Sequence, residues 1–205
     1  RRQMQSQGKS YKLFFDKIVK TDSGKRLIEN IDKVHNADFS VIVYNFLDIL
    51  SHARTETQII RDLAEDEAAF RSLTRSWFEH SDLLELMRLL AERGHTIIIT
   101  SDHGTIQVDN PVRVQGDRAT SSNLRYKTGR NLGFNQKEVF AITKPELAHL
   151  PKSNITSTYI FAYNRDFFVY PNNTNQFVRY YNNTFQHGGI SMEEMIVPFL
   201  VLKPR

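Results

Sequence analysis

Three short segments bring together residues able to hold an ion. Asp48-Ile-Leu-Ser-His52 sets a carboxylate and an imidazole four residues apart, and Ser101-Asp102-His103-Gly104 sets them side by side. His187-Gly188-Gly189 adds a third imidazole ahead of two glycines. Residues spaced like Asp48 and His52 share one face of a helix. The chain contains no cysteine, which removes disulfides, thiolate zinc sites and cysteine nucleophiles. Any metal would be held by His, Asp and Glu, a donor set that suits zinc or manganese. Each segment alone also has a plain reading: Asp-His-Gly after a strand can be turn chemistry, and the glycines can simply make turns.

The elements that must position these residues are legible in outline. Leu27, Ile28, Ile31 and Val34 recur at helical spacing, so a helix is predicted over 22–34. Residues 39–46 form an apolar run of strand length, as expected of a central strand covered on both faces. A helix over 55–79 opens with Thr55 and Gln58 at capping-box spacing. Ser81 caps another, whose apolar positions are Leu83, Leu84, Leu86, Met87 and Leu90, and Gly94 stops it. Strand 96–100 follows. Strand–helix–strand order implies an α/β fold with a largely parallel sheet flanked by helices. The segments at 48–52 and 101–104 then fall at carboxyl ends of strands, where such sheets bind ligands.

From residue 139 the texture turns β-rich. Strands are expected at 139–142, 159–163, 167–170, 177–181 and 196–202, with a hairpin bend at 164–166. No strand is expected within residues 1–34. No apolar run approaches the roughly 20 residues of a membrane span, and a cytoplasmic setting fits best. Residues 1–26 carry eight Lys or Arg against two Asp, and a second basic stretch comprises Arg113, Arg118, Arg125, Lys127 and Arg130, opposed by Asp117. Phosphate-rich partners suit both, as does a solvated basic surface. His35, His80, His95 and His149 match no such motif and read as boundary or loop residues. Glu193 and Glu194 can either orient His187 from behind or simply open a helix.

The order of the three segments resembles the alkaline-phosphatase superfamily. The wording is closer still to its PglZ branch, in Thr100-Ser-Asp-His-Gly-Thr105, Asn123-Leu-Arg-Tyr-Lys127 and His187-Gly-Gly-Ile-Ser-Met-Glu-Glu-Met-Ile-Val-Pro198. Among PglZ domains it is most similar to the C-terminal effector domain of PorX-type response regulators of Bacteroidetes. The resemblance covers roughly residues 35–205.

It implies a two-metal centre in which Asp48, His52 and His187 hold one ion while Asp102 and His103 belong to the other, with zinc the first expectation and manganese the second. It implies a phosphohydrolase, a phosphodiesterase acting on nucleotides or oligonucleotides. Arg125 and Lys127 are expected to contact the substrate phosphate, since a guanidinium matches phosphate geometry. The family's nucleophilic Ser or Thr is expected upstream of Arg1. Residues 1–205 would then be the C-terminal portion of the full domain, inactive alone. The same resemblance implies a receiver domain answering a sensor histidine kinase, a homodimer, and a link to type IX secretion. A non-catalytic regulatory module controlling transcription or secretion is the alternative.

Overall fold

The first strand lies where none was expected. In the computed structural model, which describes residues 10–19, 21–116, 120–152 and 156–204, β1 (Leu13–Ile18) pairs in parallel with β2 (Phe39–Tyr44), Leu13 opposite Phe39 and Ile18 opposite Tyr44. Asp16 and Lys17 interrupt its apolar pattern, so only the pairing with β2 reveals it. Two helices replace the predicted one between them, α1 (Thr21–Glu29) and α2 (Ile31–His35). The break falls at Asn30, whose side-chain amide donates to the Arg26 carbonyl at 2.8 Å. Such local side-chain bonds compete with the helical ladder.

The long helix expected over 55–79 is likewise divided, into α3 (Phe46–Glu56), α4 (Gln58–Leu63) and α5 (Glu67–Glu79). Thr55 does not cap anything. It lies in the last turn of α3 with its hydroxyl on the Ser51 carbonyl, and the extended Thr57 makes the break. Asp66 caps α5 by accepting from the Ala69 amide at 2.8 Å. Ser81 caps α6 (Asp82–Glu92), and Gly94 ends it with φ +81°, both as predicted. Then comes β3 (Ile97–Thr100), which pairs with the last strand, β11 (Phe199–Leu202).

The chain divides into two compact units, residues 1–99 with 200–205, and residues 100–199. In the first, Ile18, Leu27, Ile31, Val34, Leu86 and Leu90 form the buried core, with Phe14, Ile42, Tyr44 and Ile97 packed against it. These side chains come from alternate strand positions and from the i, i+3, i+4 stripes of the helices. The other face of the β1–β2 pair carries Phe15, Phe39 and Val41, which are exposed. Residues 39–46 are therefore covered on one face, not on two.

The second unit is built of short strands. β4 (Ile106–Val108) pairs antiparallel with β10 (Thr184–Gln186), and β5 (Asn110–Arg113) pairs in parallel with β9 (Asp166–Val169). β8 (Thr158–Ala162) stands between β6 (Tyr126–Gly129) and β7 (Val139–Ile142), antiparallel to both. The turn at 164–166 joins β8 to β9 but makes no hairpin, because the two strands belong to different sheets. β9 is the strand covered on both faces. Phe167 and Val169 enter one core with Ile106, Val108 and Leu124, while Phe168 enters another with Val112, Ile160 and Ala162.

Residues 177–181, expected as a strand, lie in helix α7 (Thr174–Tyr181). Their aromatic and β-branched composition favours a strand. The core decides otherwise, since Phe177, Val178 and Tyr181 sit on one helical face against it. One further short helix, α8 (Met192–Met195), precedes β11. No helix among the described residues is long and apolar enough to cross a membrane.

Candidate metal-binding site

In the first unit the candidate ligands stand on the opening turns of α3. Asn45 ties the end of β2 back to β1 through its amide, which donates to the Ile18 carbonyl at 3.2 Å. Its side chain donates to Asp48 Oδ2 at 3.2 Å. Phe46 stacks on Trp77 of α5, with centroids 4.1 Å apart and planes within 2°, and Tyr44 meets the same indole edge-on. The helix is thus seated at its start. At its other end Arg54 is buried and donates to the Ala64 and Glu65 carbonyls. Between these anchors, His52 Nε2 lies 3.5 Å from Asp48 Oδ1, with the imidazole largely open to solvent. The two side chains share one face of the helix, as their spacing requires.

In the second unit His103 Nε2 lies 3.7 Å from Asp102 Oδ1, and the Asp102 carboxylate is almost fully exposed. His103 Nδ1 is 2.9 Å from the Gly104 carbonyl. A carbonyl only accepts, so Nδ1 carries the proton, and in the neutral ring Nε2 keeps a lone pair for a ligand. The His103 and His187 rings are stacked, 3.7 Å between centroids and 8° between planes.

Behind this pair of imidazoles lies a buried carboxylate. Glu194 and Arg125 are fully enclosed, with Arg125 Nε 2.9 Å from Glu194 Oε1 and Nη2 2.7 Å from Oε2. The same carboxylate accepts from the Gly189 amide at 2.8 Å, the Ser191 hydroxyl at 2.7 Å and the Ser191 amide at 3.2 Å. Arg125 Nη1 donates to the Tyr163 and Asp166 carbonyls. Burial pushes the Glu194 carboxyl up, but hydrogen bonds from Arg125 and Ser191, then the guanidinium charge and the Gly189 amide, outweigh it and hold its pKa below the ordinary value.

The glycines are needed for close approach. A methyl group on Gly104 would meet the Glu193 carbonyl at 2.0 Å, and one on Gly189 would meet Glu194 Oε2 at 2.7 Å. Gly188 adopts φ +102°, and His187 is held from its own carbonyl by Asn123 Nδ2 at 3.2 Å.

Arg125 and Lys127, expected as phosphate contacts, are both interior. The Arg125 guanidinium is taken up by Glu194 and by carbonyls. Lys127 Nζ donates to the Ser121 carbonyl at 3.1 Å and lies 4.8 Å over the Tyr170 ring. Burial pushes its pKa down to about 8. The second basic stretch is therefore split: Arg113 and Arg130 are exposed, these two are not, and Asp117 and Arg118 lie outside the described residues. So do residues 1–9 of the first basic stretch.

From the sequence Glu194 has two possible roles and Arg125 reads as a phosphate contact, whereas in the fold the two form one buried pair. Ser191 and Glu194 carry the capping-box spacing, which reveals a helix start. Nothing in that spacing reveals a partner 69 residues away. Among the described residues no group of three or more His, Cys, Asp or Glu side chains is gathered closely enough to hold a metal ion. The donor chemistry fits a divalent cation in pairs: Asp48 with His52, and Asp102 with His103 beside His187. Compared with known proteins, residues 2–202 match the family model described as the BREX system PglZ alkaline phosphatase-like domain. No curated protein matches the chain.

Proposed function

The chain belongs to the PglZ alkaline phosphatase-like family, a phosphoesterase-type hydrolase fold, and from that premise we propose that it serves a metal-dependent phosphodiesterase. Asp48, His52 and His187 would hold one divalent cation, and Asp102 and His103 would belong to the other. Zinc is the first choice for a mixed imidazole and carboxylate set, with manganese second. The observation that carries this reading is the disposition of donors. In each pair one carboxylate oxygen lies within 4 Å of an imidazole Nε2, at 3.5 Å in one pair and 3.7 Å in the other. A proton on His103 Nδ1 leaves its Nε2 free. The 3.7 Å stack of His103 on His187 is also compatible with each ring serving its own ion, since ions of two-metal sites stand about 3.5–4 Å apart.

Bound cations would supply Lewis-acid polarisation of the phosphoryl oxygens and a more acidic nucleophile. The chain's own part is to fix the donors: α3 presents Asp48 and His52 from one face, and the 101–104 and 187–191 loops present the rest. We assign Arg125 and Lys127 to the framework, because their cationic groups are spent on interior partners. Nucleotides or oligonucleotides as substrates rest on the likeness of the segments at 100–105, 123–127 and 187–198 to those of PglZ domains, and a place as response-regulator effector rests on the resemblance of the chain to PorX-type regulators.

The test is hydrolysis of bis(p-nitrophenyl) phosphate by the intact protein, with zinc content measured in parallel. Activity should disappear on chelation, return with zinc or manganese, and fall at least about 100-fold in Asp48→Ala and His187→Ala, as expected when ligands are lost. Full activity in excess chelator would sink the reading.

A further inference from the structure

A capping glutamate on a four-residue helix ordinarily sits at the surface and serves only that helix. Glu194 does not. It is enclosed, and two of the groups bound to its carboxylate, Arg125 and the Gly189 amide, lie outside both α8 and its Ser191 cap. Its backbone carbonyl reaches a third segment by accepting from the Gly104 amide at 2.8 Å.

The consequences can be followed residue by residue. Gly189 is two residues from His187, so the Glu194 carboxylate fixes the loop on one side of that histidine. Asn123 fixes the other side: Nδ2 holds the His187 carbonyl, while Oδ1 accepts from the Arg125 amide at 2.7 Å and the Tyr126 amide at 3.1 Å. Arg125 thus meets the His187 loop twice, through Glu194 and through Asn123. Gly104, for its part, is clamped at both ends. Its amide is held by the Glu194 carbonyl, and its own carbonyl is held by His103 Nδ1. That second bond sets both the tilt and the tautomer of the His103 ring. One residue therefore governs the two loops whose imidazoles stack on each other.

We infer that Glu194, with Arg125 as its fixed counter-charge, is a positioning residue that sets His103 and His187 in register for metal binding. The inference rests on the ligand assignment proposed above only for what the register serves; the register itself is a property of the metal-free chain. A buried ion pair contributes little net stability, since desolvation offsets the attraction, but it demands one geometry. Here five donors converge on two oxygens, and few alternative loop conformations would satisfy them all.

The test uses the 205-residue chain with the variants Glu194→Gln and Arg125→Lys, and Asp66→Ala as control. Asp66→Ala removes an ordinary cap, that of α5, and so lowers stability without touching these loops. Nuclear magnetic resonance of the metal-free proteins reads the imidazole Hε1 shifts of His103 and His187, which the ring stack displaces. Zinc titration calorimetry reads affinity. In Glu194→Gln both Hε1 resonances should move together and zinc should bind at least about tenfold more weakly. Arg125→Lys, which keeps the charge but loses the fork, should do the same to a smaller degree. Asp66→Ala should leave both readouts at wild-type values. Wild-type resonances and affinity in folded Glu194→Gln and Arg125→Lys would overturn the inference, as would equal shifts in Asp66→Ala. Should the wild type bind no zinc while both resonances still move in Glu194→Gln, the positioning role stands and the ligand assignment falls.

Discussion

The two carboxylate–imidazole pairs are held in opposite ways. Asp48 and His52 owe their proximity to the helical repeat, and any helix beginning near residue 46 would bring them together. Asp102 and His103 are neighbours in a loop without a repeat, and tertiary bonds give the His103 ring its direction. The helix pair needs only a seat for its first turn. The loop pair needs a buried guanidinium, a buried carboxylate and two glycines without room for a methyl group. Helical geometry is local and robust to substitution, whereas a loop site inherits the fragility of every contact behind it.

The largest expected difference comes from removing one buried charge. Arg125→Met leaves the Glu194 carboxylate enclosed and unpaired, which should cost about 3–5 kcal/mol in urea unfolding. A loss under about 1 kcal/mol would erase the contrast. Lys127 gives an effect of similar size that depends on pH. Its folded pKa of about 8 lies below the ordinary 10.5, so between those values the unfolded chain binds the additional proton. Stability should then rise by up to about 3 kcal/mol from pH 8 to pH 10.5 relative to Lys127→Met, and stay level below that window. Gly104→Ala should cost about 1–3 kcal/mol by forcing the 101–104 loop from the Glu193 carbonyl. The smallest effect belongs to the helix pair. Ser51→Ala, whose hydroxyl merely bonds back to the Leu47 carbonyl, should change stability by less than about 0.5 kcal/mol. A larger loss there would make the two sites alike.

The same contrast explains what could be read from the chain alone. The proximity of Asp48 and His52 on α3, the Ser81 cap and the Gly94 stop are legible because each depends on neighbours within a few residues. Strand β1 was not, since Asp16 and Lys17 obscure it until β2 supplies a partner. Residues 177–181 have strand composition and a helical fate imposed by their core contacts. Arg125 read as a phosphate ligand because its type and its basic neighbours suit one. Its true partner is far away in sequence, and only folding makes them adjacent.

Trp77 is the chain's only tryptophan, and its stacking on Phe46 gives it a use as an optical probe. Its emission reports from the junction of β2 and α3, the seat of Asp48 and His52, while residues 100–199 contribute tyrosine alone. Excitation at the red edge of the indole band therefore isolates one half of the molecule without any label. Unfolding followed by that emission and by far-ultraviolet circular dichroism would show directly whether the two units melt together or in turn.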